Sequence, residues 1–274
     1  MKAGLVIIPF VDCYAENLDA LQDARAQLEG DVHVLLIDQG STDPEVRRWA
    51  YLEARLNQNI RLWRHTPPLP SLAATWNAAL DYAWETGHED AMVWNNDVRV
   101  ASWMYEALRE VAKLRDLWFT TPVNCAEGTD RQAWQTPCPG SFAVSLGGPD
   151  FSCYLIRREC HEKYRFDERF SPAYHEDSDY HRRLWLGGDG GKIAGCTLPY
   201  LHYGSRTIHR SPEALQAFQP QFAACRARYV QKWGGEPHHE RKLNPDSDED
   251  YNGVGTPGGY LDMERPLPNV IYRG

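Results

Sequence analysis

The hydrophobic positions of the first hundred residues follow two alternating spacings. Four short predicted strands, three of them continuous apolar runs, are separated by segments with apolar residues three or four apart, which are typical of amphipathic helices. The predicted strands are 4–10, 32–37, 60–64 and 91–94, and the predicted helices between them are 16–28, 45–56 and 72–84. This alternation predicts a mostly parallel sheet with helices on both faces.

The second half of the chain is less regular. Its predicted strands are 118–121, 151–157 and 195–203, and its predicted helices are 102–114, 177–186 and 212–233. Residues 124–149 are rich in Gly, Pro, Cys and Thr and predict a loop over the edge or mouth of the sheet. From residue 234 onward the composition shifts to Gly, Pro, Asp and Glu, which predicts an extended or partly disordered tail. We therefore expect one domain over 1–233 and a tail over 234–274.

The net charge argues against one class of function. The chain has 29 Lys and Arg against 38 Asp and Glu, a formal charge of -9. Eight acids and two bases lie between residues 236 and 264, so -6 of this charge belongs to the tail and the rest of the chain is close to neutral. This balance argues against a protein that binds polyanions through counterion release. A local basic groove stays open, and its candidate residues are Arg157, Arg158, Arg226, Arg228 and Lys232.

Cysteine usage and hydropathy bear on location. The seven cysteines are an odd number without a CxxC pair, which favours reduced thiols over disulfides or a zinc site. The N-terminal apolar run is interrupted by Pro9 and Asp12, too early for a signal peptide. No stretch approaches the roughly 20 apolar residues of a membrane span. We expect a cytoplasmic protein without a transmembrane segment.

Two acids stand at the ends of predicted strands. Asp38 and Asp97 each follow an apolar run, and ligands bind outside the carboxyl ends of the strands in open parallel sheets. Neither segment contains a Lys or Arg, so the two carboxylates would repel each other unless a cation or a donor-rich ligand lay between them. The structural alternative is that each acid caps its own turn.

The segment around Asp38 resembles a known family. Residues 36–43 (LIDQGSTD) are similar to the (V/I)-D-(D/N)-G-S-T-D signature of family 2 glycosyltransferases, which are nucleotide-sugar enzymes with the GT-A fold. Four more segments resemble family motifs in the same order: 72–80, with Asn77 kept and Trp76 in place of an arginine; 94–97, with Asn95 in place of the first acid of D-x-D; 166–179, similar to F-D-E-x-F followed by E-D-x-D; and 202–205, similar to the late histidine motif.

The resemblance implies a fold and a set of roles. It implies a GT-A (Rossmann-like) fold, a mostly parallel sheet flanked by helices with an irregular C-terminal extension, in which 1–100 form the nucleotide-binding half and 101–233 the acceptor-side half. The donor would be a UDP-, GDP- or dTDP-linked sugar, contacted by Pro9, Asp38, Ser41, Asp43, Asn77, Asn96 and Arg206. Mn²⁺ or Mg²⁺ would be held by Asp97, Asn95 and His202. Asp177, beside Glu176, would be the general base of an inverting transfer.

The sequence is also compatible with other interpretations. Glu176 and Asp177 also suit the N-terminus of a helix, where acids are favourable, and His202 suits an ordinary surface position. A nucleotidyltransferase is a second candidate, although the loop 11–17 is acidic and contains no glycine to hold a triphosphate. A catalytically silent nucleotide-sugar-binding module is a third, because Asn95 replaces an acid. The acceptor is open among a saccharide, a protein side chain and a hydroxylated DNA base.

Overall fold

The computed structural model describes residues 4–125, 144–145, 151–209 and 211–245. Nine strands within these residues form one sheet: β1 (Gly4–Phe10), β2 (Val32–Asp38), β3 (Ile60–Arg64), β4 (Asp90–Trp94), β5 (Val98–Arg99), β6 (Phe119–Cys125), β7 (Val144–Ser145), β8 (Cys153–Arg157) and β9 (Ile193–His202). The strand order is β3-β2-β1-β4-β8-β6-β9-β5, and β7 pairs with β9. Within the predicted loop 124–149, the structure describes only residues 124–125, at the end of β6, and residues 144–145, which form β7.

Eight α-helices accompany these strands in the described residues. They are α1 (Tyr14–Arg25), α2 (Pro44–Leu56), α3 (Leu72–Glu85), α4 (Met104–Arg115), α5 (Arg158–Lys163), α6 (Glu176–Leu186), α7 (Arg206–His209) and α8 (Pro212–Trp233). Short 3-10 turns cover Gln27–Gly30 and Gly190–Lys192. The predicted helices and strands are confirmed, most of them to within two or three residues at each end. The structure adds β5, β7, α5 and α7, which are too short to leave a periodic pattern.

The sheet is mostly parallel, as predicted. β2, β3 and β4 run with β1, and β6 and β9 run in that direction too, so six of the nine described strands share it. β8 is antiparallel to both β4 and β6 and separates the parallel first half from the rest. The first crossovers place β2 on one side of β1 and β4 on the other. The chain reverses its direction of winding at this point, where open sheets carry their ligand sites.

The period of two along β1 divides the core between the two faces of the sheet. Val6 and Ile8 pack in a cluster with residues of α1, α2 and α4. Leu5 and Ile7 pack in a second cluster with residues of α3 and α6. All seven residues of β1 are buried, because helices cover both faces of the central strands.

The C-terminal helix α8 packs through its last turns. Phe170, Cys225, Tyr229 and Trp233 form a third apolar cluster. The chain then folds back, because the backbone N–H groups of residues 241 and 242 both donate to the carbonyl of Trp233. The packed part of the chain thus continues beyond residue 233, and the remainder of the predicted tail, from residue 246, lies outside the described residues. None of the described helices combines the length and apolar character needed to cross a lipid bilayer.

Candidate active site

A cavity of about 710 Å³ opens at the carboxyl ends of β1, β2 and β4. Pro9 ends the wall formed by β1, Gln39 follows β2, and the residues after β4 form the floor between them. Seven of the predicted site residues line this cavity: Pro9, Asn95, Asn96, Asp97, Glu176, Asp177 and His202. The structure therefore brings together in space residues from four separate segments of the sequence.

Asp97 and His202 form a pair in the cavity wall. The short strand β5 follows Asp97 and pairs with the end of β9, so Val98 lies opposite His202. His202 Nε2 lies 3.3 Å from Asp97 Oδ1, and the backbone N–H of Arg206 donates to Asp97 Oδ2 at 2.9 Å. Burial by itself would raise the pKa of the Asp97 carboxyl, but the hydrogen bonds from His202 and Arg206 and the histidine charge hold that pKa below its usual value. This carboxyl is therefore ionised at neutral pH.

Asn95 and Asn96 flank Asp97 with neutral amides. The backbone N–H of Asn95 donates to the carbonyl of Ser152, which ties the turn after β4 to the residue that precedes β8. Asn96 is buried and its Nδ2 donates to Asn17 Oδ1 at 2.8 Å, which fastens the same turn to helix α1. Both amides line the cavity, so these hydrogen bonds hold the turn at the cavity wall.

Glu176 and Asp177 begin helix α6 on the opposite wall. Tyr174 and His175 before them have φ values of 81° and 70°, a left-handed conformation that is costly for residues with a side chain. This turn is fixed by the hydrogen bond between Tyr174 Oη and Ser205 Oγ, at 2.7 Å. Two residues in a strained backbone conformation therefore orient the first turn of α6 towards the cavity.

The two acids differ in their surroundings. Glu176 is buried, and its Oε2 has no hydrogen-bond partner among the described residues. Burial, with the neighbouring charge of Asp177, raises the pKa of Glu176 well above its usual value. Asp177 is half-buried and accepts from the Ser178 backbone N–H at 2.7 Å. Burial raises the pKa of Asp177 as well, although the hydrogen bond from Ser178 and the charge of His175 oppose the shift.

Asp38 is compensated by a residue that the sequence analysis did not select. The parallel register of β2 and β3 puts Arg64 opposite Asp38, and Arg64 Nε donates to Asp38 Oδ2 at 2.7 Å. The expectation that Asp38 lacks a basic partner is therefore wrong, because strand pairing brings in a cation from 26 residues away. Asp38 is buried and also accepts from the Ser41 backbone N–H at 2.7 Å. Its neighbour Gln39 lines the cavity.

The turn after Asp38 is held by Asp12, another residue that the sequence analysis did not select. Asp12 Oδ1 accepts from the backbone N–H groups of Thr42 and Asp43, at 2.8 and 3.0 Å. Ser41 Oγ accepts in return from the Asp12 backbone N–H at 2.9 Å. Asp43 caps helix α2, because its carboxylate accepts from the N–H of Glu45. Ser41 and Asp43 therefore shape the wall under the cavity, and neither belongs to its lining.

Two further predicted residues have structural partners. Asn77 is buried and bonds the backbone of Phe166 in both directions and the carboxylate of Glu168, so it joins α3 to the loop before α6. Arg206 is exposed, and its guanidinium lies over the ring of Tyr203 at 5.3 Å. Both residues lie outside the cavity lining, although their neighbours Trp76 and Ser205 belong to it.

The candidate basic groove is largely neutralised by ion pairs. Arg157 pairs with Glu159, Arg158 with Glu162 and Arg226 with Glu236. Lys232 is nearly buried between the carboxylates of Asp167 and Asp179, with Nζ to oxygen distances of 2.7 and 2.5 Å. Four of the five candidates therefore already have carboxylate partners. The described residues contain no cluster of three or more His, Cys, Asp or Glu side chains arranged to hold a metal ion.

Comparisons with known proteins show the fold. No protein-family model and no curated protein matches the chain. Among solved structures, S. aureus TarS 1–349 matches with a TM-score of 0.55 and 13% identity, over 84% of this chain and 70% of that chain. The same fragment in complex with UDP matches with a TM-score of 0.55 and 15% identity, over 89% and 69%. GalNAc-T7 with UDP, GalNAc and Mn²⁺ matches with a TM-score of 0.58 and 13% identity, over 85% of this chain and 48% of that one. The predicted GT-A type of fold is confirmed.

Proposed function

We propose that this chain is a glycosyltransferase that moves a sugar from a nucleoside diphosphate sugar to a hydroxyl acceptor. The observation that carries the proposal is the convergence of Asp97, His202, Glu176 and Asp177 on one cavity. This cavity lies at the carboxyl ends of the strands, where open α/β sheets bind ligands. The likeness in fold to TarS with UDP and to GalNAc-T7 with UDP and Mn²⁺ supports a UDP-sugar as the first donor to test.

The donor's nucleoside would lie at the ends of β1 and β2. Pro9 and Gln39 supply the wall there, and the buried Asp38 carboxylate, next to Gln39 in the chain but outside the described lining, is already oriented by Arg64 and Ser41. An oriented carboxylate accepts from a ring N–H of uracil or guanine. Asn96 lies on the same lining and would face the ribose side of the ligand.

The charge of the cavity favours a divalent cation with the donor. Its described lining contains three carboxylates, one histidine and neither Lys nor Arg, so a diphosphate placed there needs added positive charge. Asp97 and His202, already in contact, would hold Mn²⁺ or Mg²⁺, with Asn95 as a neutral ligand and the phosphate oxygens completing the set. When bound, such a cation acts as a Lewis acid on the departing diphosphate.

Asp177 is the proposed general base. Its carboxylate would take the proton of the acceptor hydroxyl while the acceptor oxygen bonds to the anomeric carbon and the bond from that carbon to the diphosphate breaks. One displacement of this kind inverts the anomeric centre. The raised pKa of Asp177 suits proton acceptance, because a base is most effective when its pKa approaches the working pH.

The structure argues against a nucleotidyltransferase but does not separate an enzyme from a silent binding module. A nucleotidyltransferase needs donors for a triphosphate after β1, and Asp12 in that loop instead accepts from the turn 41–43. A silent binding module shares every feature of the donor site, so only turnover separates it from the proposed enzyme.

The test combines binding and donor hydrolysis. We expect UDP or a UDP-sugar to bind by calorimetry with Mn²⁺ present, and slow Mn²⁺-dependent release of UDP without an acceptor. Asp177→Asn should keep the dissociation constant within about threefold and lower turnover at least about 100-fold, the usual contribution of a general base. Asp31→Asn, at an exposed position before β2, is the matched control and should change neither quantity.

Three outcomes would contradict parts of the proposal. Turnover above about a tenth in Asp177→Asn would point to another base. Binding without turnover under any acceptor would support the silent module. Failure of UDP-, GDP- and dTDP-sugars to bind with either cation would refute a nucleotide-sugar site altogether.

A further inference from the structure

Acidic side chains outnumber basic ones in the described lining of the cavity. Asp97, Glu176 and Asp177 are its acids, and His202 is the one residue of the described lining that can become cationic. His202 is already engaged with Asp97 at 3.3 Å. Glu176 and Asp177, on the opposite wall, therefore face the cavity without a Lys or Arg among the described lining residues.

Glu176 shares the cavity lining with aromatic side chains. Trp76 and Phe151 line the cavity with it, and Trp76 packs against Phe166 and Tyr154 at ring distances of 4.9 and 5.7 Å. Both Glu176 Oε2 and Trp76 Nε1 are buried without a hydrogen-bond partner among the described residues. A buried carboxylate oxygen and a buried indole N–H, each lacking a partner, suit a ligand that brings hydroxyl groups and no charge.

The side chain at position 76 contributes to the cavity lining. The residue lies on α3, is almost completely buried and is an indole in this chain, whereas the motif that residues 72–80 resemble has an arginine there. An arginine at this position would place a cation in the same cavity lining as Glu176. Tryptophan supplies instead a flat apolar surface, which packs against the C–H face of a sugar ring.

We infer that the transferred sugar is uncharged, a hexose or N-acetylhexosamine, and that Trp76 and Glu176 together exclude donors whose sugar carries a carboxylate. This inference rests on the proposed function. A uronate would add a carboxylate beside the carboxyl groups of Glu176 and Asp177, because His202 and the proposed cation offset the charge of Asp97, whereas the described lining supplies no Lys or Arg for the other two acids. Like charges about 6 Å apart at an effective dielectric constant near 20 repel strongly enough to weaken binding about 10- to 100-fold.

The experiment compares matched donors that share one nucleotide. Dissociation constants for UDP, UDP-glucose, UDP-N-acetylglucosamine and UDP-glucuronate are measured by calorimetry at pH 8 with Mn²⁺. We expect UDP-glucuronate to bind at least about tenfold more weakly than UDP-glucose. The isosteric variant Glu176→Gln should bring the two constants at least about threefold closer, because it replaces an ionisable carboxyl with a neutral amide of the same size. Glu106→Gln, in the exposed first turn of α4, is the control and should leave their ratio unchanged.

A second variant tests the tryptophan. Trp76→Arg should lower the ratio of the UDP-glucuronate and UDP-glucose constants further, and Tyr51→Arg, an exposed aromatic-to-arginine change on a helix, should not. Equal binding of the two donors to the unaltered protein would overturn the inference and leave the proposed function intact. Binding of UDP alone, with no gain or loss from any sugar, would overturn it too. If none of the four ligands binds, the proposed UDP-sugar site fails, and the inference fails with it.

Discussion

Lys232 tests most directly how the C-terminal helix holds the first turn of α6. Its ammonium group lies between Asp167 and Asp179, 2.7 and 2.5 Å from their oxygens, and only about a tenth of its side chain is exposed. Asp179 lies two residues beyond Asp177 and is completely buried. Lys232→Met keeps the aliphatic stem and removes the one cation that both carboxylates share.

The expected loss follows from what each carboxylate retains. Removing one partner of a buried ion pair costs about 3–5 kcal/mol, because an uncompensated charge stays behind. Asp179 keeps Arg183 at 2.8 Å and the Trp233 indole N–H at 2.9 Å, and Asp167 keeps Arg169 at 2.7 Å. We therefore expect the lower end, about 3 kcal/mol. For a domain of this size this corresponds to a fall in the unfolding midpoint of about 6–12 °C.

Thermal unfolding followed by circular dichroism measures the effect. The control is Lys113→Met, the same exchange at an exposed position of helix α4, which should stay within about 0.5 kcal/mol of the parent protein. Adding Asp179→Asn to Lys232→Met removes the unpaired charge, so the double variant should lose less than the sum of the single losses. A midpoint lowered by less than about 2 °C in Lys232→Met would refute the reasoning.

Two other predictions concern the cavity walls. Asp12→Ala removes the acceptor of the Thr42 and Asp43 N–H groups and should lower the free energy of unfolding by about 1.5–3 kcal/mol in urea titrations. Asp12→Asn keeps a side-chain oxygen and should lose less. Equal losses in the two variants would argue against these hydrogen bonds. Glu176→Gln should raise the free energy of unfolding at pH 8 by about 1–3 kcal/mol, because the buried carboxyl, whose Oε2 has no hydrogen-bond partner among the described residues, ionises less readily in the folded chain than in the unfolded one. The pKa of Glu176 is raised in the folded state above its usual value of 4.5, so its ionisation destabilises the fold increasingly from about pH 4.5 upward, and the gain should vanish near pH 4. A gain of equal size at both pH values would contradict this explanation.

The sequence determined the elements and the ends of the strands. The continuous apolar run of β1 predicted its bounds without error, because a strand buried on both faces leaves no polar position inside the run. The apolar spacing of α8 did the same for 212–233. Since parallel strands end at one edge of the sheet, Asp38 at the end of β2 and Asp97 after β4 were expected to face one crevice before any contact was known, and Asp97 lines the cavity.

The tertiary structure decided which side chains meet. Arg64 reaches Asp38 through the register of β2 and β3, and Lys232 reaches Asp167 across 65 residues of sequence. His202 reaches Asp97 through β5, a strand of two residues that leaves no periodic signal. Local spacing specifies the period of an element and the face it buries, whereas an ion pair depends on distances that packing alone sets. The sequence therefore selected seven of the residues that line the cavity, and the packing of distant segments determined which of its charges have a partner.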